Sequence, residues 1–271
     1  MSKLQIFCSS LNYYNILEKL PSYISPLGLG DNIFPSSWLN EKKGTNISEL
    51  NKYYGEFTGF YWIWKNKIQD FKKKDMIGFC HYRKLWMNDL YTHKNKFSLK
   101  SLHSNLLNIN NDILNTAEAI QVQPINFKNK NLFSDFEKVH KTNVLKDCMS
   151  FLRPDLKKEF LNHVNKQLLF PNNMFITKVV NFEEYCNVIF PWLEKCMNYC
   201  YENKLCNGYN VRLPAFLGER FTSFWFNRFE KRSLLSYARL GKFHLSNSLN
   251  SFTNTTKLPF TFYQYPTIHK F

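Results

Sequence analysis

The sequence of 271 residues lacks a hydrophobic run long enough to cross a membrane. A transmembrane helix needs about 20 consecutive apolar residues, and no window approaches this length. The opening stretch, MSKLQIFCSSLNYYN, has an apolar run shorter than the roughly seven residues of a signal-peptide core. We therefore expect a cytoplasmic protein with a sizeable core, because 44% of the residues are hydrophobic and 17% are aromatic.

Signature motifs of several enzyme classes are also missing. The sequence has no GxGxxG, no Walker-type GxxxxGK[ST] and no HExxH. The GYN at 208–210 lacks the serine of a nucleophile elbow. These absences disfavour dinucleotide redox chemistry, ATP chemistry and serine hydrolysis.

The seven cysteines form no CxxC pair and are irregularly spaced. An odd number at irregular spacing argues against a disulfide framework and against a structural zinc site. Cys196 and Cys200 fall on one face of a predicted helix, where we interpret them as buried apolar thiols. We therefore expect a reducing compartment.

Acidic residues are scarce: 21 Asp and Glu stand against 36 Lys and Arg, for a formal net charge of +15. Such a charge favours anionic partners, although an Asn-, Phe- and Lys-rich composition is typical of an AT-biased genome. Arginine is the more informative cation, because a lysine-preferring chain retains it where a planar guanidinium is needed for bidentate hydrogen bonds. Five of the seven arginines lie between Arg212 and Arg239, and Arg83 is a sixth.

Hydrophobic periodicity predicts alternating strands and helices. Short apolar runs predict strands at 3–9, 76–82, 117–124 and 172–180. Amphipathic spacing predicts helices from about 46, over 134–149, 154–169 and 181–203, and from about 214. The segment containing Pro21, Pro26 and Pro35 is expected to be irregular.

This alternation favours one α/β domain over residues 1–230, with a mostly parallel central sheet flanked by helices. Residues 231–271 contain no acidic residue but several basic and aromatic ones. We expect them to form a C-terminal tail that packs on or beside the domain.

The predicted strand that ends in FCHYRK is the first candidate site. Side chains alternate along a strand, so His81 and Arg83 would share one side and Tyr82 the other. Ligands of open α/β sheets bind at the carboxyl ends of strands. Arg83, by bidentate hydrogen bonding, and His81, as a second donor, would suit a phosphate or diphosphate. The alternative is an ordinary polar strand end.

Two acidic motifs are candidates for acid–base or metal chemistry. In GERF, Glu219 beside Arg220 would be a general base next to a cation, or simply part of a solvated helix face. Asp135-Phe136-Glu137 approaches the D-x-D metal motif, but Ser134 and Glu137 also fit a capping box, which we favour.

Some histidine and aromatic positions are harder to assign. His140 lies on a predicted helix and would ordinarily be structural. Most aromatic residues between 53 and 64 follow helical spacing and should be core. Trp62 falls off that stripe, so Trp62 and Trp86 are the candidates for stacking on a base or a sugar.

Two paired blocks of sequence resemble a family of small bacterial glycosyltransferases. GTNISELNKYYGEFTGFYWIWKN (44–66) followed by DMIGFCHYRKLW (75–86) is similar to the family catalogued as domain of unknown function 4422, from capsular-polysaccharide and lipopolysaccharide clusters. PNNMFITK (171–178) and FLGERFTSFW (216–225) resemble it too, so the resemblance covers residues 3–230. The family's first strand usually ends in a His-Lys pair, where this chain has Ser9 and Ser10.

The resemblance implies a GT-A-like fold and transfer of a hexose, N-acetylhexosamine or furanose unit from a nucleotide-diphosphate donor, with UDP expected. The acceptor would be a growing capsular or lipopolysaccharide glycan, or a lipid-linked glycan. Glu219 and Arg220 would be catalytic, and no metal would be required because cationic side chains replace the D-x-D, although Mn²⁺ or Mg²⁺ could still take part. The implied donor contacts are His81, Tyr82, Arg83, Asn46, Ser48, Glu56 and Trp62, and the implied acceptor contacts are Asn173, Met174 and His140.

The tail at 231–271 would suit peripheral contact with the inner face of the inner membrane, where a basic residue adds up to about 1 kcal/mol. A solvated tail folded over the domain is an equal alternative.

Two other functions stay open. A nucleic-acid-binding protein is disfavoured by dispersed basic residues and the lack of a binding motif, and the chain could be a non-catalytic scaffold of polysaccharide assembly.

Overall fold

Strands of the central sheet are arranged in the order β3-β2-β1-β4-β8-β5-β9. They are β1 Leu4–Ser10, β2 Ile24–Gly28, β3 Leu39–Asn40, β4 Met76–His81, β5 Ala119–Val122, β8 Phe175–Lys178 and β9 Thr255–Leu258. Strand β8 runs antiparallel to β4 and β5, and the other pairs are parallel. The predicted mostly parallel sheet is confirmed. Strands β6 Ile125–Asn126 and β7 Leu168–Leu169 form a separate antiparallel pair.

The computed structural model describes residues 2–86, 103–104, 106–107, 109, 114–115, 117–122 and 124–228, together with the backbone of 255–258. The described helices are α1 Asn51–Tyr54, α2 Phe57–Asn66, α3 Leu132–His140, α4 Val144–Met149, α5 Pro154–Val164, α6 Val179–Glu202 and α7 Leu213–Asn227. Short 3-10 helices span Asn15–Lys19, Ser48–Leu50, Ile68–Asp70 and Gly208–Arg212. Most of the predicted tail, 231–254 and 259–271, lies outside the described residues.

The segment predicted to be irregular contains strand β2. Residues 23 and 29 both bond to β1, through the Tyr23 carbonyl and the Leu29 N–H. Pro26 lies between them at a position whose nitrogen points away from β1, and β3 pairs only with residues 27 and 28. The proline therefore costs no ladder hydrogen bond, which is why the strand tolerates it.

The aromatic helix predicted from residue 46 is interrupted at Gly55, which has φ 56°. This left-handed conformation favours glycine, and it separates α1 from α2. The predicted capping box at Ser134 is also wrong, because α3 begins earlier. Its N-cap is Asn131, whose side chain accepts the Ser134 N–H at 2.7 Å.

Alternation along the strands divides the core between the two faces of the sheet. On β4, Ile77 and Phe79 face the cluster formed with α2, α6 and α7, while Met76 and Cys80 face the cluster on the opposite side. Phe175 of β8 lies at the centre of the first cluster, with its ring 4.1 Å from Phe226. Among the described helices, none is long and apolar enough to span a membrane.

The sheet brings the site together at one edge. Parallel strands β1, β2 and β4 end at the same edge, and antiparallel β8 begins there. Helix α7 packs closely on α2, since a Cβ at Gly218 would lie 2.5 Å from the Phe57 ring. The residues at the ends of four strands and two helices therefore meet around one opening.

Candidate functional site

A cleft of about 460 Å³ opens at the carboxyl ends of β1 and β4. One wall is the turn after β4, and most of the remaining lining comes from the starts of α1 and α2, the residues at 172–173, and α7 with the residue before it. The lining residues include Ser9, Ser10, Asn51, Lys52, Glu56, His81, Tyr82, Arg83, Lys84, Asn172, Asn173, Arg212, Phe216 and Glu219. Of the predicted site residues, the cleft thus brings together His81, Tyr82, Arg83, Glu56, Asn173 and Glu219.

The basic wall is a tight turn rather than a continuing strand. The backbones of His81 and Lys84 bond to each other in both directions, at 3.1 and 2.9 Å. The strand alternation expected for residues 81–83 is therefore wrong, because the chain reverses at Tyr82 and Arg83. Arg83 is exposed and its guanidinium lies 5.0 Å from the Tyr82 ring centre. Tyr82 in turn stacks on Tyr14 with centroids 4.8 Å apart.

The Asn172–Asn173 turn connects the basic turn to two carboxylates of the cleft. Both residues are left-handed, with φ 70° and 51°, a conformation that asparagine tolerates better than most residues. The Asn172 N–H donates to Glu219 Oε1 at 2.6 Å. Asn173 Nδ2 donates to Glu56 Oε1 at 2.7 Å. The turn thus holds two carboxylates in place.

The same turn determines the tautomer of His81. Its Nε2 lies 2.6 Å from the Asn172 carbonyl oxygen, which can only accept, so Nε2 carries the hydrogen. Nδ1 is then an acceptor in the neutral ring and a donor in the imidazolium. Lys84 also reaches this turn and donates to Asn172 Oδ1. Burial lowers the pKa of Lys84, while the charges of Glu219 and Glu56 act in the opposite direction.

Glu219 is held from behind by a buried cation. Arg220 Nη1 lies 3.1 Å from Glu219 Oε2, and its Nη2 lies 3.4 Å from Asp135 Oδ2. Only 8% of the Arg220 side chain is exposed. Arg220 therefore orients Glu219 and does not line the cleft, so the sequence-based alternative of phosphate contact by Arg220 does not fit its position.

Glu56 bridges to the start of α7. Its Oε2 lies 3.4 Å from Arg212 Nη2, while its other oxygen accepts from Asn173. A Cβ at Gly55 would lie 2.3 Å from the same Arg212 nitrogen, so the glycine leaves room for the guanidinium. Arg212 was not among the predicted site residues, although the clustering of arginines from 212 onward is a signal that pointed to it.

Three residues that were predicted to bind the sugar donor lie away from the cleft. Asn46 and Ser48 bond to each other, with Ser48 N–H and Oγ donating to Asn46 Oδ1 at 3.2 and 2.8 Å. Trp62 is buried and donates its indole N–H to the Lys43 carbonyl. Trp86 is buried too, donating to the Phe79 carbonyl at 3.0 Å. Neither tryptophan is exposed for stacking, because both indoles pack in the core.

Two residues that were predicted to contact the acceptor substrate are likewise buried. Met174 points into the core on the opposite face of the sheet. His140 is enclosed by aromatic rings and donates from Nδ1 to Asn210 Oδ1 at 2.9 Å. Burial lowers the pKa of His140. Because neither side chain is exposed, a direct contact with the acceptor substrate is not supported at either position.

Unassigned polar groups also face the cleft. Ser9 and Ser10 line it at the end of β1, and Ser10 Oγ donates to the Asn12 carbonyl at 2.6 Å. Among the described residues, Ser9 Oγ and Asn173 Oδ1 are buried without a hydrogen-bond partner. Buried orphan groups are rare in folded proteins, and at a cleft they indicate where a ligand or water bonds. Asn172 and Lys84 were missed as well, because their roles depend on contacts far along the chain.

Acidic, histidine and cysteine side chains of the described residues are possible metal ligands. No group of three or more His, Cys, Asp or Glu side chains is close enough to hold a metal ion in that part of the chain. Asp135 of the D-x-D-like motif is buried and engaged by Arg220 and Lys130. All seven cysteines are free thiols, and Cys196 and Cys200 are buried as expected.

Comparison with known proteins decides the family. The chain matches the family described as "Domain of unknown function (DUF4422)" over residues 11–231. The protein belongs to the DUF4422 family. Among proteins with curated functions, none matches the sequence.

A solved structure shares the fold of this DUF4422 protein. It is the apo structure of WbbM, a bifunctional glycosyltransferase, with a TM-score of 0.64 and 16% sequence identity. The match covers 97% of this chain and 46% of the WbbM chain, so this protein spans about half the length of that relative. At this identity the similarity demonstrates a common fold.

Proposed function

We propose that this protein is a glycosyltransferase with a GT-A-like fold that moves a sugar from a nucleotide-diphosphate donor, with UDP expected, to a capsular or lipopolysaccharide glycan. The observation that carries the proposal is that basic side chains and an oriented carboxylate line one cleft. A turn bearing His81, Arg83 and Lys84 lies in the same cleft as Glu219, which is already oriented by its own partners. Family membership and the WbbM fold support the same reaction class.

The basic turn would stabilise the departing diphosphate. Arg83 is exposed and can donate two parallel hydrogen bonds to phosphate oxygens. His81 donates from Nδ1 when it is the imidazolium, because its Nε2 is committed to the Asn172 carbonyl. Positive charge at this position counters the negative charge that grows on the leaving group, and loss of one such donor typically costs about 10²–10³ in rate.

Glu219 would be the general base in an inverting reaction. Its carboxylate removes the proton of the acceptor hydroxyl as that oxygen attacks the anomeric carbon, and the bond from that carbon to the diphosphate breaks. Each carboxylate oxygen has a further lone pair beyond its bond to Asn172 or Arg220, so the base stays competent. Arg220 would act indirectly, by positioning the Glu219 carboxylate.

The proposed scheme needs no metal, because cationic side chains would neutralise the diphosphate in its stead. We also propose that the acceptor is a glycan, free or lipid-linked, and that contact with the inner face of the inner membrane is peripheral. Activity in excess chelator tests the metal-free scheme. Complete loss of activity, restored by Mn²⁺, would contradict the metal-free scheme.

Thermal shift with UDP-, GDP-, CDP- and TDP-linked sugars tests the function directly. We expect one nucleotide to stabilise the protein by about 2.7 kcal/mol at 100 times its Kd. Arg83→Ala should lose most of this shift. Arg153→Ala is the matched control. It removes the same charge from an exposed residue that does not line the cleft. No shift with any donor, or an equal shift in both variants, would reject the proposal.

Turnover of Glu219→Gln tests the base. We expect transfer to fall by about 10²–10⁴, the usual contribution of general base catalysis, while the thermal shift with donor is kept. Near-normal turnover in this variant would remove Glu219 as the base.

A further inference from the structure

An exposed aromatic ring is stacked on a residue that lines the cleft. Tyr209, in the 3-10 helix Gly208–Arg212, has 67% of its surface exposed. Its ring stacks on Phe216, with centroids 5.2 Å apart and planes at 22°. Phe216 itself lines the cleft. The stacked pair therefore extends the cleft wall outward as an apolar surface.

The ring of Tyr209 is held rigidly from behind. His140 lies nearly parallel to it, with centroids 5.8 Å apart and planes at 15°, and also contacts Phe216 at 4.7 Å. His140 Nδ1 donates to Asn210 Oδ1, and Asn210 Nδ2 donates back to the His140 carbonyl, both at 2.9 Å. Since Asn210 directly follows Tyr209, this reciprocal pair ties the 3-10 helix to the end of α3. A surface ordered in advance binds with less entropy loss.

The position of the stacked rings relative to Glu219 indicates what they hold. Phe216 and Glu219 are three residues apart on α7, so they lie on one face of that helix. A ligand stacked on Phe216 and Tyr209 would direct its inner end toward the Glu219 carboxylate. The cationic turn at 81–84, which would hold phosphates, lines the same cleft and connects to Glu219 through Asn172.

We propose that Tyr209 and Phe216 form a carbohydrate-binding platform for the acceptor sugar. This inference rests on the proposed function and specifies the acceptor side of that site. A pyranose presents C–H groups on one face, which pack on an aromatic ring, and hydroxyls at its edge, one of which meets Glu219. Tyrosine suits this task because its ring is apolar and its hydroxyl stays in water. His140 is a positioning residue for the platform and does not touch the sugar.

Saturation-transfer NMR tests the platform without any turnover. The probes are methyl β-galactopyranoside and methyl β-glucopyranoside, added to the full-length protein without donor. We expect Tyr209→Ala to weaken binding roughly two- to tenfold, the range for one aromatic contact, and Tyr209→Phe to keep it. Tyr201→Ala is the matched control, since Tyr201 is 71% exposed and, unlike Tyr209, is not stacked on Phe216 among the described rings.

The outcomes separate this inference from the proposed function. Binding that depends on Tyr209, in a protein that transfers no sugar, would support the platform and reject the transferase. Transfer with the same acceptor KM in the Tyr209→Ala and Tyr201→Ala variants would overturn the platform and leave the transferase in place. Absence of binding of both glycosides to the unmodified protein would also overturn the platform.

Discussion

Replacing Arg220 with methionine should destabilise the fold strongly, because Arg220 is the buried centre of an ion network. Its guanidinium contacts Asp135 at 3.4 Å and Glu219 at 3.1 Å, and both it and Asp135 are almost fully buried. Removing one member of a buried pair typically costs about 3–5 kcal/mol. Asp135 keeps its contact with Lys130, and methionine keeps much of the apolar packing over Phe136. We therefore expect about 3 kcal/mol, the lower end of that range.

Urea denaturation followed by tryptophan fluorescence measures this loss. With a slope of about 3 kcal/mol per molar urea, the midpoint should fall by about 1 M. The double variant Arg220→Met with Asp135→Asn should recover about 1 kcal/mol or more, because Asp135 is then no longer a buried carboxylate that has lost its arginine. Arg153→Met, which breaks an exposed pair, is the control and should cost under about 1 kcal/mol. A loss below 1 kcal/mol in Arg220→Met, or strict additivity in the double variant, would refute the reasoning.

Two further predictions concern the core and a buried acid. Phe175→Ala should cost about 3–5 kcal/mol in urea denaturation, since it leaves a cavity at the centre of the aromatic cluster; a loss under 1 kcal/mol would show that the cluster collapses around it. Burial raises the pKa of Glu41 to about 7, so the fold keeps a proton that the unfolded chain releases above its ordinary pKa of 4.5. Stability should therefore fall by about 3 kcal/mol as pH rises from 4.5 to 7. Glu41→Gln should flatten this part of a curve of Tm against pH, whereas Glu49→Gln, at an exposed position, should leave the slope unchanged.

Local pattern was enough to identify most of the elements. The apolar run at 76–82 became β4, and the periodic stretches became α6 and α7 within a few residues of the expected limits. Periodicity reports which face of an element is buried, and that face is what the tertiary structure needs. Strand β2 was missed because Pro26 reads as a breaker unless the neighbouring strand is known.

Part of the cleft lining could be predicted from the sequence. His81 and Arg83 stand at or just after the end of β4, where ligands commonly bind, so residue type and position along the chain sufficed to place them at the cleft. Trp62 was misjudged because a helix buried on two sides leaves no free face, and that depends on what packs beside it.

The amino-acid sequence alone determined the class of fold and the presence of cations at the end of β4, because strand and helix periodicities act over a few residues. Only the tertiary structure decided how those cations meet their partners. His81 bonds to Asn172 across 91 positions, Arg220 pairs with Asp135 across 85, and Asn173 reaches Glu56 across 117. Contacts at such separations leave no local pattern, since they depend on how the sheet and the helices α2 and α7 pack together.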